Sequence, residues 1–340
     1  MKKFTDIESF KHIVKAVRIR HRYNHDNDNF PTISFTGTVK LHGTNVGVRR
    51  YFDHSTNRFS YEAQGRNDPL TIKDDNYGFA KFVSEIPIKY WDSLFNTIDR
   101  WNNYDPTKVV ITIFGEWIGK GIQKKVAVSK LDPKQFVIFD IHVLYDNNSG
   151  NYLTNEKFFQ FPIMTYPVYN ILNADTYEIE IDFNNPEIAA EKLTELTLNV
   201  DVKCPWGKLF DIEAPGEGIV WRPDNGKDTN LYFKTKGSSH KVTKENKLIP
   251  VDPELVANIE QCVDVILTNV RLEQGWTELF TKVAVEPDIK HIGNYLKWVG
   301  QDCKKEEMIT IVANNLTWRE VSKEIMRRAK EYFLRELPEF

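Results

Sequence analysis

Polar and apolar residues alternate through Ile33-Ser34-Phe35-Thr36-Gly37-Thr38-Val39-Lys40, and a period of two marks a half-buried strand. Gly43 turns the chain, and a second strand opens at Val46-Gly47-Val48. Residues 31–66 therefore predict three strands, the last ending in Tyr61-Glu62-Ala63-Gln64-Gly65-Arg66. The period then changes. Phe79, Phe82, Val83 and Ile86, followed by Trp91, Leu94, Phe95 and Ile98, recur at three- and four-residue spacing and predict helix. Two continuous apolar runs, Val109-Val110-Ile111-Thr112-Ile113-Phe114 and Phe136-Val137-Ile138-Phe139-Asp140-Ile141, predict buried strands. Residues 142–215 are weakly patterned apart from a helix over about 186–199, opened by Pro186. Two further strands, Gly218-Ile219-Val220-Trp221 and Leu231-Tyr232-Phe233-Lys234, flank a turn at Pro223-Asp224-Asn225-Gly226.

After Gly237 the pattern shifts again. Gly237-Ser238-Ser239-His240 and the charged run 241–247 read as a linker, and everything beyond Asp252 reads as helical. Asp252-Pro253 supplies an N-cap and N1 proline ahead of Leu255, Ile259, Val263, Ile266 and Val270. Thr317-Trp318-Arg319-Glu320 is a capping box ahead of Val321, Ile325, Ala329 and Phe333. The expected organisation is a first domain over 1–240, a linker over 241–250 and a helical domain over 251–340. Near the N-terminus, residues 7–22 alternate apolar with basic positions, and Lys11, Lys15, Arg18, Arg20 and Arg22 meet no acid after Glu8. That run is either a solvated face or a phosphate-contacting edge. Residues 21–29 are polar and read as a loop.

Composition changes this picture little. With 340 residues, 41% apolar and 27% charged, the chain can bury the cores of two domains. A net charge of −3 gives no global attraction for nucleic acid, so any polyanion site must be a local patch. Cys204, Cys262 and Cys303 have neither disulfide-framework nor zinc spacing, which favours a reducing compartment. No apolar stretch follows the charges of Met1-Lys2-Lys3, and no run has membrane-spanning length. The expectation is a soluble, cytoplasmic protein without a membrane span.

Chemistry concentrates at strand ends. Lys40, beside a glycine turn, is a candidate nucleophile or phosphate clamp, or simply a solvated lysine. Arg66, Glu116, Glu217 and the pair Lys234/Lys236 follow in order. A carboxylate at the end of a buried strand, as in Phe114-Gly115-Glu116, needs a partner. Glu217-Gly218-Ile219-Val220 repeats that arrangement. Lys234 and Lys236 share one strand face, and two such like charges make sense around a common anion.

In that order the residues resemble the covalent nucleotidyltransferase superfamily of ATP-dependent ligases and mRNA capping enzymes. Lys40-Leu41-His42-Gly43-Thr44-Asn45 is similar to motif I of the RNA ligase 2 family, whereas DNA ligases and capping enzymes usually carry Asp-Gly after the lysine. Phe114-Gly115-Glu116, Phe136 to Ile141, Glu217 to Val220 and Leu231 to Lys236 match motifs III, IIIa, IV and V. The resemblance covers about residues 30–240. It implies an α+β fold: an antiparallel-sheet, ATP-grasp-like nucleotidyltransferase domain followed by a small all-α C-terminal domain.

The resemblance also implies a reaction. Lys40 attacks the α-phosphate of ATP, AMP passes from the lysine to an RNA 5′-phosphate, and a 3′-OH then displaces AMP. Lys234, Lys236 and a divalent metal (Mg2+ or Mn2+) on Glu217 would assist, with Asn45 acting through a metal-bound water. Asp140 would have a polar or metal-linked role. Glu116 would accept from the ribose, Phe139 would stack on adenine, Arg66 would meet phosphate or the RNA end, and Arg222 would lie near the leaving pyrophosphate. Val39 stands where the better-known family member has a glutamate that reads adenine, so Val39 and Leu41 would contribute backbone groups. Lys120, Lys124, Lys125 and Lys130 form a basic cluster, either solvated or a track for RNA, the first three of them singled out as RNA contacts. The implied partner is RNA with 3′-OH and 5′-phosphate ends, nicked or duplex, recognised in part by the C-terminal helices. A monomer is expected, acting in the cytoplasm, of the host if the gene is viral. The alternatives are a DNA ligase, a capping guanylyltransferase, or an inactive homologue that only binds RNA.

Overall fold

The computed structural model describes residues 1–25, 29–146, 149–153, 166–224, 228–237, 255–283 and 285–337. The chain divides into two compact units, Met1–Gly237 and Ser238–Phe340. In the first unit the elements run β1 (Glu8–Ser9), α1 (Phe10–His25), β2 (Thr32–Lys40), β3 (Thr44–Asp53), β4 (Arg58–Gly65), α2 (Phe79–Glu85) and α3 (Ile88–Asn102). They continue with β5 (Val109–Ile118), β6 (Gln135–Tyr145), β7 (Gly150–Tyr152), β8 (Val168–Asn170), β9 (Tyr177–Asp182), α4 (Pro186–Val202), α5 (Pro205–Lys208), β10 (Gly218–Pro223) and β11 (Phe233–Lys236).

The strands form two sheets. One has the order β1-β11-β10-β2-β9; the other runs β4-β3-β5-β6-β7, with β8 on β6. Pairing is antiparallel except for β1 with β11 and β6 with β8. Alternation sorts the first sheet into two faces. Phe35, Val39, Ile219, Trp221 and Phe233 are buried in the main core. Thr38, Lys40, Val220, Arg222, Lys234 and Lys236 occupy the opposite face. The α+β class expected from the sequence holds.

Three expectations change. The segment predicted as helix from Phe79 to Ile98 is two helices, because Pro87 disfavours helical geometry at Ile86 and caps the next helix instead. The basic residues Lys11 to Arg22 lie on a helix that runs to His25, through the loop expected from residue 21. Phe10, Ile13, Val14 and Val17 are at helical spacing, and that stripe packs on the core. The last strand starts at Phe233, after a short 3₁₀ turn at Thr229–Leu231.

The second unit contains α6 (Leu255–Ile266), α7 (Asn269–Trp276), α8 (Ile292–Ala313) and α9 (Trp318–Glu336). The face read as continuous to Val270 breaks at Thr268, whose hydroxyl caps α7. Glu320 accepts from the Thr317 N–H at 2.6 Å and hydroxyl at 2.7 Å, closing the expected capping box. Arg271, fully buried, donates to Glu307 at 2.9 Å and ties α7 to α8. Asp252-Pro253, the run 241–247 and Asn225-Gly226 lie outside the described residues. Among the described residues no helix is long and apolar enough to cross a membrane.

Candidate active site

Lys40 is the last residue of β2. The ladder sets it opposite Gly218, and Gly218 in turn opposite Lys236, so both lysines flank the start of β10. Gly218 has φ of +153°, and a Cβ there would stand 2.0 Å from the Thr235 carbonyl oxygen. Only glycine lets the three strands close at this point. The residue before it, Glu217, is 3% exposed and meets two lysines and an imidazole. Lys40 Nζ donates to its Oε2 at 2.7 Å, His42 Nδ1 lies 3.3 Å from the same oxygen, and Lys236 Nζ lies 3.2 Å from Oε1. Burial by itself would raise this carboxyl; Lys40, Lys236 and His42 outweigh burial and hold it well below the usual carboxylate range. Lys234 occupies the same face one step along, opposite Val220.

The turn after Lys40 is fastened by side chains from elsewhere. Glu116 accepts from the Gly43 N–H at 3.0 Å, and Gln123 donates to the Gly43 carbonyl at 3.2 Å. Asn76 donates to the Thr44 hydroxyl at 2.9 Å. A Cβ on Gly43 would meet the Trp117 carbonyl oxygen at 2.3 Å, so the close approach of β5 requires glycine. Asn45 pairs with Glu116 across β3 and β5, and its Oδ1 is buried with no hydrogen-bond partner among the described residues. Val39 and Leu41 are buried, so the groups they could turn to a ligand are main-chain ones.

A second cluster lies on β6. The register of β5 and β6 shifts between Phe114 and Gly115, so Phe114 faces Asp140, Gly115 faces Ile138, and Phe139 is left as the extra residue of a bulge. Phe139 is half-buried, with the Arg222 guanidinium 5.9 Å from its ring centre. Asp140 is buried; its Oδ1 accepts from the Ile141 N–H at 2.9 Å and its Oδ2 lies 3.7 Å from Arg222 Nε. Burial pushes this carboxyl up to about 7, against the pull of Arg222. Arg222 Nη1 donates to the Thr38 hydroxyl at 3.1 Å.

The residues singled out in the sequence therefore fall into groups. Lys40, Lys236 and Glu217 touch directly, with Lys234 beside them, and Asn45 and Glu116 adjoin the turn. Phe139, Asp140 and Arg222 form the second cluster. Arg66 is exposed and bonds Asp6 at 2.5 Å. Lys120, Lys124 and Lys125 are exposed on the segment after β5, on either side of Gln123. Gln123, Asn76, Thr38 and Asp6 escaped sequence reasoning, and His42, read there as part of motif I or as a turn residue, had been given no contact with Glu217. Its place two residues from Lys40 was the available signal for His42.

Among the described residues no cluster of three or more His, Cys, Asp or Glu could hold a metal ion. One carboxylate and an orphaned amide oxygen nevertheless suit Mg2+, which keeps several waters and takes remaining ligands from substrate phosphates.

A protein-family model described as RNA ligase matches residues 33–243. No curated protein matches the chain. Among solved structures, a point mutant of Naegleria gruberi RNA ligase with ATP and Mn aligns at 20% identity and TM-score 0.42, over 70% of this chain and 57% of that one. The same ligase with PPi aligns at 22% identity and TM-score 0.43, over 70% and 56%. The chain thus spans a little over half the length of those ligases.

Proposed function

The chain belongs to the RNA ligase family, and on that premise we propose that it joins RNA 3′-OH and 5′-phosphate ends using ATP, through AMP carried on Lys40. The observation that carries this reading is the clamp of Lys40, Lys236 and His42 on the buried carboxylate of Glu217. A protonated amine has no lone pair to attack with, so Lys40 must pass its proton on before it reacts. The clamp holds the amine in place beforehand, while Lys236 and Lys234 present positive charge on the same face for the triphosphate.

Three displacements follow. The Lys40 amine forms a P–N bond to the α-phosphorus of ATP as the bond to the β-phosphate oxygen breaks, releasing pyrophosphate. The RNA 5′-phosphate then forms a P–O–P link to that AMP, and the electron pair of the broken P–N bond returns to Lys40 with a proton. Last, the 3′-oxygen bonds to the RNA 5′-phosphorus, its proton goes to solvent, and AMP leaves. Each step places negative charge on phosphoryl oxygens beside Lys40, Lys234 and Lys236. Glu217 would hold Mg2+ or Mn2+, with Asn45 Oδ1 reaching it through water. Bound there, the ion supplies further positive charge to the phosphate. Phe139 offers a ring for adenine. Arg66, and Lys120, Lys124 and Lys125, offer charge to the RNA backbone. Met1–Gly237 is in this reading the adenylyltransferase, and the helical unit grips duplex RNA.

The test uses α-labelled ATP with magnesium or manganese. An acid-stable labelled protein is expected, and Lys40→Ala should abolish it. No adduct with any nucleotide or metal would sink the reading, and labelling by GTP would redirect it to capping chemistry. Sealing of nicked duplex RNA should exceed sealing of nicked DNA.

A further inference from the structure

Residues 2–9 run past Phe139 and are tied to both sheets. On one side the Lys2 carbonyl accepts from Gln64 Nε2 at 2.8 Å, and Asp6 bonds Arg66; these partners lie at the end of β4. On the other side the Glu8 N–H donates to the Tyr232 carbonyl at 3.2 Å, and Glu8 and Ser9 pair in parallel with Phe233 and Lys234. Between the ties Phe4, 5% exposed, enters an aromatic cluster separate from the main core. Its ring centre lies 5.2 Å from Phe114, 4.9 Å from Phe139 and 5.8 Å from Tyr152.

The contact with Phe139 matters because the sheet does not hold that residue. Pairing with β5 skips it, pairing with β8 ends at Ile138, and pairing with β7 begins at His142. A bulged aromatic without ladder partners takes its ring direction from side-chain neighbours. Phe4 meets it edge to face at 64°, a preferred geometry for two rings.

We propose that Phe4 is a positioning residue for nucleotide binding: the arm of residues 2–9 brings its ring against Phe139 and fixes the platform on which the base stacks. The inference rests on the reading above, in which Phe139 receives adenine. Phe4 itself touches no reacting atom.

The experiment measures adduct formation by the full chain against ATP concentration, in wild type, Phe4→Ala, Phe4→Leu, Phe4→Tyr, Phe139→Ala and the Phe4→Ala/Phe139→Ala pair. The half-saturating ATP concentration should rise roughly three- to tenfold in Phe4→Ala and Phe4→Leu, the scale of one aromatic pair. The limiting rate should stay nearly unchanged, and Phe4→Tyr should restore most of the loss. The double variant should be no worse than Phe139→Ala alone, because Phe4 acts through that ring. Phe4→Leu retains an apolar side chain and keeps the test decisive if Phe4→Ala fails to fold. Half-saturation unchanged in Phe4→Leu, or additive losses in the double variant, would overturn the proposal while leaving the ligase reading intact. No adduct from wild type would remove both.

Discussion

Two carboxylates of the first unit, Glu217 just before β10 and Asp140 on β6, are buried alike and meet opposite fates. Glu217 is 3% exposed and Asp140 4%, so desolvation penalises the charged form of both. Glu217 is nevertheless held well below the ordinary carboxylate range, while Asp140 is pushed up to about 7. The difference lies in their cations. Glu217 has the Lys40 and Lys236 amines at 2.7 and 3.2 Å and the His42 imidazole at 3.3 Å; Asp140 has one guanidinium at 3.7 Å, without a hydrogen bond to it. Charge attraction falls with distance and adds over partners, so the first set overcomes burial and the second does not. A group ready to meet a cation is thus kept ionised, and the other is left close to neutral.

Removing the charge of Glu217 should have the largest effect. Glu217→Gln leaves Lys40 and Lys236 facing a neutral amide at the centre of the site. We expect adduct formation to fall by about two orders of magnitude or more, the scale seen when a group aligned with developing charge is lost. Stability should fall by about 2–3 kcal/mol, below the full cost of an orphaned buried ion because both lysines are partly exposed. Labelling and urea unfolding measure the two effects separately. A fully active Glu217→Gln would mean that the clamp is only structural.

Asp140 predicts an effect on stability with a defined sign. Its native carboxyl keeps a proton up to about 7, whereas the unfolded chain gives it up near 3.8. Between those values the native state binds more protons, so stability falls as pH rises. His142 opposes this: burial, with Lys2 nearby, holds its imidazole down at about 4 from 6.5, so stability rises with pH across that window. Asp140→Asn removes only the falling contribution. The variant should gain on wild type by on the order of 10 °C in Tm between pH 4 and 7. Parallel melting curves for the two proteins would show that Asp140 is already ionised.

The same contrast separates what the chain spells out from what it conceals. Lys40, Glu116, Glu217 and Lys236 end or adjoin strands whose alternation and apolar runs can be read directly, and each needs a partner there. The pairing of Asp140 with Arg222 depends on how two sheets face each other, and no periodicity records that. The bulge at Phe139 depends on a one-residue shift between β5 and β6, invisible in two apolar runs. Phe4 reaches the site on an arm outside any strand, anchored by a parallel pairing of only Glu8 and Ser9, too short to carry any pattern. The helix α1 was hidden by its basic residues, although Phe10, Ile13, Val14 and Val17 carry the helical stripe.

The smallest effect is expected at Thr38, which sets how near Arg222 comes to Asp140. Thr38 is the only hydroxyl to which Arg222 donates among the hydrogen bonds described, at 3.1 Å through Nη1. That bond draws the guanidinium toward β2, leaving Nε at 3.7 Å from Asp140. Thr38→Val keeps the side-chain shape and removes the acceptor, at a cost of about 1 kcal/mol in stability. Without the tether Arg222 can close on Asp140, which would lower that carboxyl and move it toward the state of Glu217. The fall in stability between pH 4 and 7 should then become shallower than in wild type, read from melting temperatures over that range. A steeper fall would mean the reverse: that Thr38 holds Arg222 toward Asp140, and that the distance of 3.7 Å is the closest approach the fold permits.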